Sequence, residues 1–214
     1  MITPNDSVLR QQPKAKAPLL CAIVAALATL LPPAVAADNT SSMPLHREGG
    51  ASRDGCQARR VVHLVPTDSR FTPAQAGRIA ILEGPAPRPT RLQVRLLSQG
   101  EWTLPAQSAG IRLITLGPIS KDLLWESSPF CDLAADANGA PPARSLLLQR
   151  SSSHGEQAAS RRVEGLLQEL ASRCGASVDT DSVLRGFNLE HLRPQLPAQL
   201  PLWCGRLGSS TAAR

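Results

Sequence analysis

The sequence predicts an α/β fold, a small mixed sheet with flanking helices that is stabilised by disulfides. Three observations support this fold class. Short apolar segments alternate with helical ones along residues 59–206, which favours a layered α/β arrangement in a single domain. Residues 153–174 carry apolar side chains at helical spacing and predict one long amphipathic helix. Four cysteines remain once an N-terminal targeting segment is set aside.

The N-terminal segment has the features of a secretory signal peptide. Two lysines precede a run from Leu19 to Leu31 that is apolar apart from Thr29, and two prolines end that run. A membrane-spanning helix needs about 20 apolar residues, and proline interrupts the helix before that length is reached. Residues 34–36 then supply the small-x-small pattern that signal peptidase cleaves. We predict a signal peptide over residues 1–36 and a periplasmic or secreted protein, with an uncleaved anchor as the alternative.

Two segments flank the predicted domain. Residues 37–58 are polar and glycine-rich, which predicts a flexible lead-in, and residues 207–214 predict a disordered tail. Contact with a membrane is expected only through the signal peptide before it is cleaved.

The first elements of the domain follow from local patterns. Val61 to Val65 is a short apolar run with β-branched residues and predicts a buried strand. Thr72 and Gln75 form a capping box around Pro73, which predicts a helix over residues 73–83. The competing interpretation of the end of this segment is a strand, which Gly77 favours.

The middle of the chain predicts mainly strands. Residues 90–107 alternate apolar and polar positions around a Ser-Gln-Gly turn, which indicates a strand and a hairpin. Ile111–Leu116 and Leu146–Gln149 are further strands. Residues 120–130 predict a short helix with Ser120 as its N-cap.

The long helix has the clearest end signals. Ser153 and Glu156 form a second capping box, and Gly175 suits the position after the last turn. The helical spacing places Cys174 on the buried face. Residues 176–206 predict one short helical stretch followed by proline-spaced leucines that wrap over the domain without forming an element.

The remaining cysteines predict two disulfides. Cys56, Cys131, Cys174 and Cys204 are an even number in an exported chain, where oxidising conditions keep disulfides. Three pairings are possible, and we favour Cys56 with Cys131 and Cys174 with Cys204, since each pair would tie a tail segment to a regular element. A metal site is the alternative, but zinc ligands usually occur in close C-x-x-C pairs, which are absent from the sequence.

Motifs for known chemistry do not occur in the sequence. It lacks the nucleophile elbow, the phosphate-binding loop, the paired-histidine zinc motif and the dinucleotide-binding glycines, so no cofactor is predicted. A resemblance of residues 134–145 to a calcium loop fails because its first and last positions are Ala134 and Ser145. The formal net charge of +6 is spread along a chain with 3% aromatic residues, which does not indicate nucleic-acid binding.

Polar residues at three predicted strand-to-helix junctions form the candidate binding site. If the strands run parallel, these junctions meet at one edge of the sheet, where ligands bind in open α/β folds. The free backbone donors at the start of the long helix would attract an anion there. The candidate residues are Thr67, Asp68, Ser69, Ser120, Lys121, Ser151, Ser153 and His154. A serine, a histidine and an aspartate could also supply a nucleophile, a base and an orienting acid.

Two functions fit these observations. The first is an exported, non-catalytic binding or accessory protein with a protein partner in the cell envelope. The alternative is a small exported hydrolase or anion-binding protein that uses the serine, histidine and aspartate side chains of the junctions. The lack of a catalytic motif favours the first.

Overall fold

The computed structural model describes residues 44–50, 59–74, 77–130 and 141–207. The strands are β1 Glu48–Gly50, β2 Arg60–His63, β3 Arg70–Phe71, β4 Arg78–Glu83, β5 Thr90–Leu96, β6 Gly100–Gln107, β7 Gly110–Thr115, β8 Leu123–Phe130, β9 Ala143–Leu147, β10 Ser177–Asp179 and β11 Gln199–Arg206. The helices are α1 His154–Ala171, α2 Thr180–Phe187 and a 3₁₀-helix, Glu190–Gln195. The predicted signal peptide, residues 51–58, the Cys56–Cys131 pair, the loop at 131–140 and residues 208–214 lie outside the described residues.

The strands form two sheets. The first sheet has the order β1-β2-β4-β7-β11-β10 and the second has the order β3-β9-β8-β5-β6. Among the strands of the described residues, the pairs β7–β11 and β3–β9 are parallel and all other neighbours are antiparallel. The mixed α and β content is therefore confirmed, but the described chain is richer in strands than predicted. Because most strands are antiparallel, their carboxyl ends do not share one edge.

The two faces of the first sheet have different neighbours. Val62 lies opposite Leu82 in the β2–β4 register, and both line a cleft with Leu192 of the 3₁₀-helix. The alternate position in β2, His63, points the other way and stacks on Trp125 of the second sheet, with ring centroids 3.4 Å apart. Since successive strand residues face opposite sides, the 3₁₀-helix and the second sheet lie on opposite faces of the first sheet at β2.

Residues 46–50 join the two sheets, although the sequence predicts a flexible lead-in there. Glu48 to Gly50 pair with β2, while the backbone of His46 exchanges two hydrogen bonds with Arg144 of β9 in the second sheet. A Cβ atom on Gly49 would lie 2.1 Å from the Ala143 nitrogen, so only glycine allows this approach. Backbone groups make these contacts, which is why the polar composition of the segment does not reveal them.

The helix predicted over residues 73–83 is wrong, and the competing strand interpretation is right for its second half. Residues 78–83 form β4, which lies between β2 and β7 in the first sheet. Ile79 to Glu83 are all buried, on both faces of the strand. The local capping signals are overridden because β-branched residues buried on both sides suit a central strand.

The short helix predicted over residues 120–130 is also wrong. Leu123 to Phe130 form β8, which pairs with both β5 and β9. Trp125 is fully buried, and its indole Nε1 donates a hydrogen bond to Ser127 Oγ at 2.9 Å on the same face of the strand. The secondary structure of this segment therefore follows the alternation of buried residues, which is typical of a strand. Ser120, which could have capped a helix, does not determine it.

Several predictions from the sequence are confirmed. The hairpin at residues 90–107 is β5 and β6, and the predicted strands at 61–65, 111–116 and 146–149 correspond to β2, β7 and β9 within a few residues. The long helix is α1, where Ser153 accepts a hydrogen bond from the Glu156 backbone N–H as the capping box requires. The helix ends at Ala171, so Cys174 lies beyond it and is exposed, not on a buried face.

The C-terminal segment is more regular than predicted. Its last part forms β11, which pairs in parallel with β7 on one side and with β10 on the other. Leu200 and Leu202 are buried in this strand, so the proline-spaced leucines are sheet residues and do not merely cover the domain. The predicted disulfide between Cys174 and Cys204 is present, with Cα atoms 5.6 Å apart, and it attaches the end of α1 to β11.

Candidate functional site

The structure brings the segments of two predicted junctions, those before β8 and after β9, close together, with Thr72 beside them. Ser151 Oγ shares a hydrogen bond of 2.8 Å with Thr72 Oγ1, just after β3. The Gln149 backbone N–H donates to Asp122 Oδ1 at 2.8 Å, which places the segment before β8 beside the segment after β9. Thr67, Asp68 and Ser69 instead lie before β3, at the end of that strand away from Thr72.

The individual site residues have mainly structural contacts. Asp68 accepts a hydrogen bond from the Arg70 backbone N–H, and Ser153 caps α1. Thr67, Ser120 and Lys121 are exposed, while Ser69 is buried in a turn with a φ of 61°. Among the described residues, no hydrogen bond joins any two of Asp68, Ser151 and His154. The structure thus does not assemble the nucleophile, base and acid that the sequence suggested, and the binding role of these residues stays a prediction.

The first turn of α1 already holds a carboxylate of the chain itself. Glu156 accepts hydrogen bonds from the Ser152 backbone N–H at 2.7 Å and from the Ser152 hydroxyl. These bonds, together with the nearby Arg70, lower the pKa of Glu156 below its ordinary value. An external anion at this helix start would have to compete with a carboxylate that is ionised at neutral pH.

A cleft on the helical side of the first sheet offers a different candidate site. We call it the Arg60 cleft, and it has a volume of about 300 Å³. It is lined by Arg60, Val62, Leu82, Gly84, Pro85, Leu192, Gln195 and Leu196. Ligand sites of small molecules start at about this size and are mostly apolar with a few polar groups.

Two neighbouring strands of the first sheet and the 3₁₀-helix form the walls of the Arg60 cleft. Val62 and Leu82 are opposite one another on adjacent strands and form the apolar floor. Leu192 is buried against the core, whereas Leu196, just after the 3₁₀-helix, is only half-buried. The 3₁₀-helix therefore leaves an open space beside Gly84 and Pro85, which directly follow β4.

Charged side chains at the rim are paired with one another. Glu48 accepts from Arg60 at 3.2 Å, and its other oxygen lies 3.0 Å from His191 Nε2. Gln195 is exposed, and its side chain makes no hydrogen bond to another described residue. Sequence reasoning missed this site, because its residues come from β1, β2, the end of β4 and a C-terminal segment for which no element was predicted.

A second polar feature lies between the sheets and is fully buried. His63 shares a hydrogen bond of 2.8 Å with Ser145 Oγ through Nδ1, while its Nε2 atom is buried without a partner among the described residues. Burial, reinforced by the nearby His46, lowers the pKa of His63 well below its ordinary value. His63 is therefore a neutral residue of the core.

Acid is expected to destabilise the protein through His63. The unfolded chain binds a proton near pH 6.5 whereas the folded chain does not, so stability falls as pH drops below about 6.5, by up to about 1.4 kcal/mol per pH unit from this group. The double variant His63→Phe with Ser145→Ala keeps an aromatic ring against Trp125 and removes the titrating group. Urea unfolding between pH 7 and 5 should show a smaller pH slope for this variant, and equal slopes would contradict the assignment.

A buried cluster of charged side chains connects the first sheet to the second sheet. Glu83 of β4 accepts hydrogen bonds from Arg59 at 2.7 Å and from Arg112 of β7. Arg59 also donates to the Gln107 carbonyl at 2.6 Å, and Arg112 donates to the Pro105 carbonyl at 2.7 Å, both in β6. Burial raises the pKa of Glu83, and the two guanidinium groups oppose that effect. These contacts account for the cluster as a structural element.

Comparisons with protein-family models, with curated proteins and with solved structures each find no match. Among the described residues, no three histidine, cysteine, aspartate or glutamate side chains are grouped so that they could hold a metal ion. The helices within those residues are all too short or too polar to cross a membrane.

Proposed function

We propose that this chain is an exported, non-catalytic binding protein of the cell envelope that holds part of a protein partner in the Arg60 cleft. The cleft is the observation that carries the proposal, since it joins an apolar floor of Val62 and Leu82 to a polar rim. The alternative of an anion-binding protein or hydrolase has less support, because Glu156 occupies the start of α1 and the junction residues are engaged in turns and caps.

The disulfide supports the exported part of the proposal. Cys174 and Cys204 are both exposed, and such a bond persists in oxidising compartments such as the periplasm and the extracellular space. In a reducing cytosol it would be open to attack by thiols. The predicted signal peptide at residues 1–36 is consistent with this location.

The experiment starts with protein from the envelope fraction of the producing cells. Its intact mass, measured with and without reduction and alkylation, should show loss of residues 1–36 or 1–37 and thiols that are blocked until reduction. The same sample is then titrated with 1-N-phenylnaphthylamine, an uncharged apolar dye whose fluorescence rises in apolar surroundings. We expect saturable binding.

A pair of leucine variants assigns the binding to the cleft. Leu196→Arg places a charge at the half-buried wall of the cleft and should weaken dye binding by at least about tenfold, a change of about 1.4 kcal/mol. Leu97→Arg, in the exposed turn between β5 and β6, makes the same chemical change elsewhere and should leave binding unaltered. No dye binding by the native protein, or equal loss in both variants, would overturn the cleft as the binding site. An uncut chain with free thiols would overturn export.

A further inference from the structure

We infer that the Arg60 cleft binds an uncharged apolar side chain of a polypeptide, about the size of leucine or phenylalanine, together with a neighbouring main-chain amide. This inference rests on the proposed binding function and specifies the chemistry of the partner. The cleft volume of about 300 Å³ accommodates one such side chain with part of its backbone, but not a folded element.

The floor of the cleft selects for an apolar group. Val62, Leu82 and Leu192 are almost fully buried already, and Pro85 and Leu196 extend the apolar surface to the entrance. An inserted leucine side chain would leave water for a surface made of aliphatic atoms. Complete burial of such a side chain contributes about 1.5–3 kcal/mol, which suits a single anchoring residue in a larger contact.

The paired charges of the rim disfavour a charged ligand group. A carboxylate that approached Arg60 would also approach Glu48, which already accepts from that arginine at 3.2 Å. A cation that approached Glu48 would meet Arg60 on the same side, while the other Glu48 oxygen is engaged by His191. Charge complementarity therefore favours an uncharged group at this entrance, because like-charge contacts across an interface are costly.

The side-chain amide of Gln195 can hydrogen-bond to the backbone of a bound peptide. Gln195 lies at the C-terminal end of the 3₁₀-helix, and its exposed side chain makes no hydrogen bond to the rest of the described chain. A side-chain amide carries both a donor and an acceptor, so it can pair with a main-chain N–H and C=O at the same time. An acyl chain or another simple hydrocarbon would leave this group unused.

A matched set of small probes tests the inference by NMR titration of the isotopically labelled native chain. N-acetyl-leucinamide and N-acetyl-phenylalaninamide are uncharged and should shift resonances of residues lining the Arg60 cleft. N-acetyl-alaninamide, with a smaller side chain, should bind at least about tenfold more weakly. N-acetyl-leucine carries a carboxylate, leucinamide carries an ammonium group, and both should also bind more weakly than N-acetyl-leucinamide.

Glutamine variants test the contact with the main chain. Gln195→Ala should weaken N-acetyl-leucinamide binding by about fivefold, as expected for loss of one or two hydrogen bonds. Dye binding should persist in this variant, since the apolar floor is unchanged. Gln99→Ala, in the exposed turn between β5 and β6, is the control and should bind like the native protein.

The outcomes separate this inference from the proposed function. Tighter binding of N-acetyl-leucine, or of decanoate as a free acyl carboxylate, would overturn the uncharged-peptide inference while the cleft remained a binding site. Dye binding without binding of any capped amino acid would do the same. Absence of binding for both the dye and all probes would overturn the proposed function together with the inference.

Discussion

Glu83→Gln is expected to lower the free energy of unfolding by about 3–5 kcal/mol, the cost typical of removing one partner of a buried ion pair. Glu83 is fully buried and is the carboxylate that accepts from both Arg59 and Arg112. Without it, two guanidinium groups remain buried side by side with no opposite charge. Urea unfolding at neutral pH, followed by tryptophan fluorescence, measures the loss.

The effect of Arg112→Gln should be smaller, because the cluster has more positive than negative charge. Removing Arg112 leaves Arg59 and Glu83 as a neutral pair, and the main cost is the Pro105 carbonyl that loses its donor. We expect a loss of about 1–3 kcal/mol, typical of one buried group left unpaired. Unlike the Glu83 change, this substitution does not create an excess of buried charge.

An exposed glutamate provides the control for Glu83. Glu101 accepts a hydrogen bond from Gln93 and lies 4.0 Å from Arg95, but about half of its side chain is exposed. Glu101→Gln should therefore change stability by less than about 1 kcal/mol. If Arg112→Gln cost as much as Glu83→Gln, or if the exposed control matched either of them, the charge balance of the cluster would not explain its stability.

Local signals in the sequence predicted the elements whose determinants are close together in the chain. The α1 helix has its cap at Ser153 and its apolar face within the same segment, so the sequence was sufficient to place it. The β5–β6 hairpin likewise depends on one turn between two alternating runs. The four cysteines allow three pairings into two disulfides, and the Cys174–Cys204 bond belongs to one of them. That pairing was favoured only because it would attach a tail segment to a helix end.

Elements that depend on distant partners were mispredicted. Capping-like residues precede both β4 and β8 by a few positions, but each strand is held between two neighbours that come from other parts of the chain. β11 needs β7 as a parallel partner about ninety positions earlier, where Ile111 lies opposite Leu202. No local pattern contains that information, because tertiary pairing overrides propensity in strands.

The same reason explains why the candidate site was not predictable. The junction residues were grouped on the assumption of parallel strands, which holds for only two pairs of neighbours. The Arg60 cleft instead combines a strand pair with a 3₁₀-helix more than a hundred positions away. The sequence contained a hint of the cleft in the leucine and proline spacing of the C-terminal segment. That spacing predicted that the segment packs on the domain, but it did not predict which strands the segment contacts.

Arg47→Met is the second substitution expected to have a large effect, a loss of about 3–4 kcal/mol. Arg47 lies in the segment that the sequence predicts as flexible, yet its side chain is buried. It donates to the carbonyls of Val65 at 3.1 Å and of Phe187 and Asn188 at 2.8 Å each. Each buried carbonyl left without a donor costs about 1–3 kcal/mol, so the loss of three donors explains the size of the effect.

The position of Arg47 at the end of α2 adds to this expectation. Phe187 is the last residue of the helix, and Asn188 follows it in the left-handed conformation with a φ of 54°. Carbonyls at a helix C-terminus carry partial negative charge, so a guanidinium group is favourable there. Burial lowers the pKa of Arg47 below its ordinary value and the nearby Glu48 opposes that effect, and an arginine guanidinium remains charged at neutral pH.

A second arginine near the same helix end makes the test specific. Arg185 is exposed and donates only a long hydrogen bond of 3.3 Å to the Asp181 carbonyl, so Arg185→Met should cost less than about 0.5 kcal/mol. Hydrogen exchange should show faster exchange at the amides of β1 and at the end of α2 in Arg47→Met, and native rates in Arg185→Met. If the two variants were equally stable, the backbone pairing of residues 46–50 would be sufficient to hold this segment between the sheets, and Arg47 would contribute nothing beyond it.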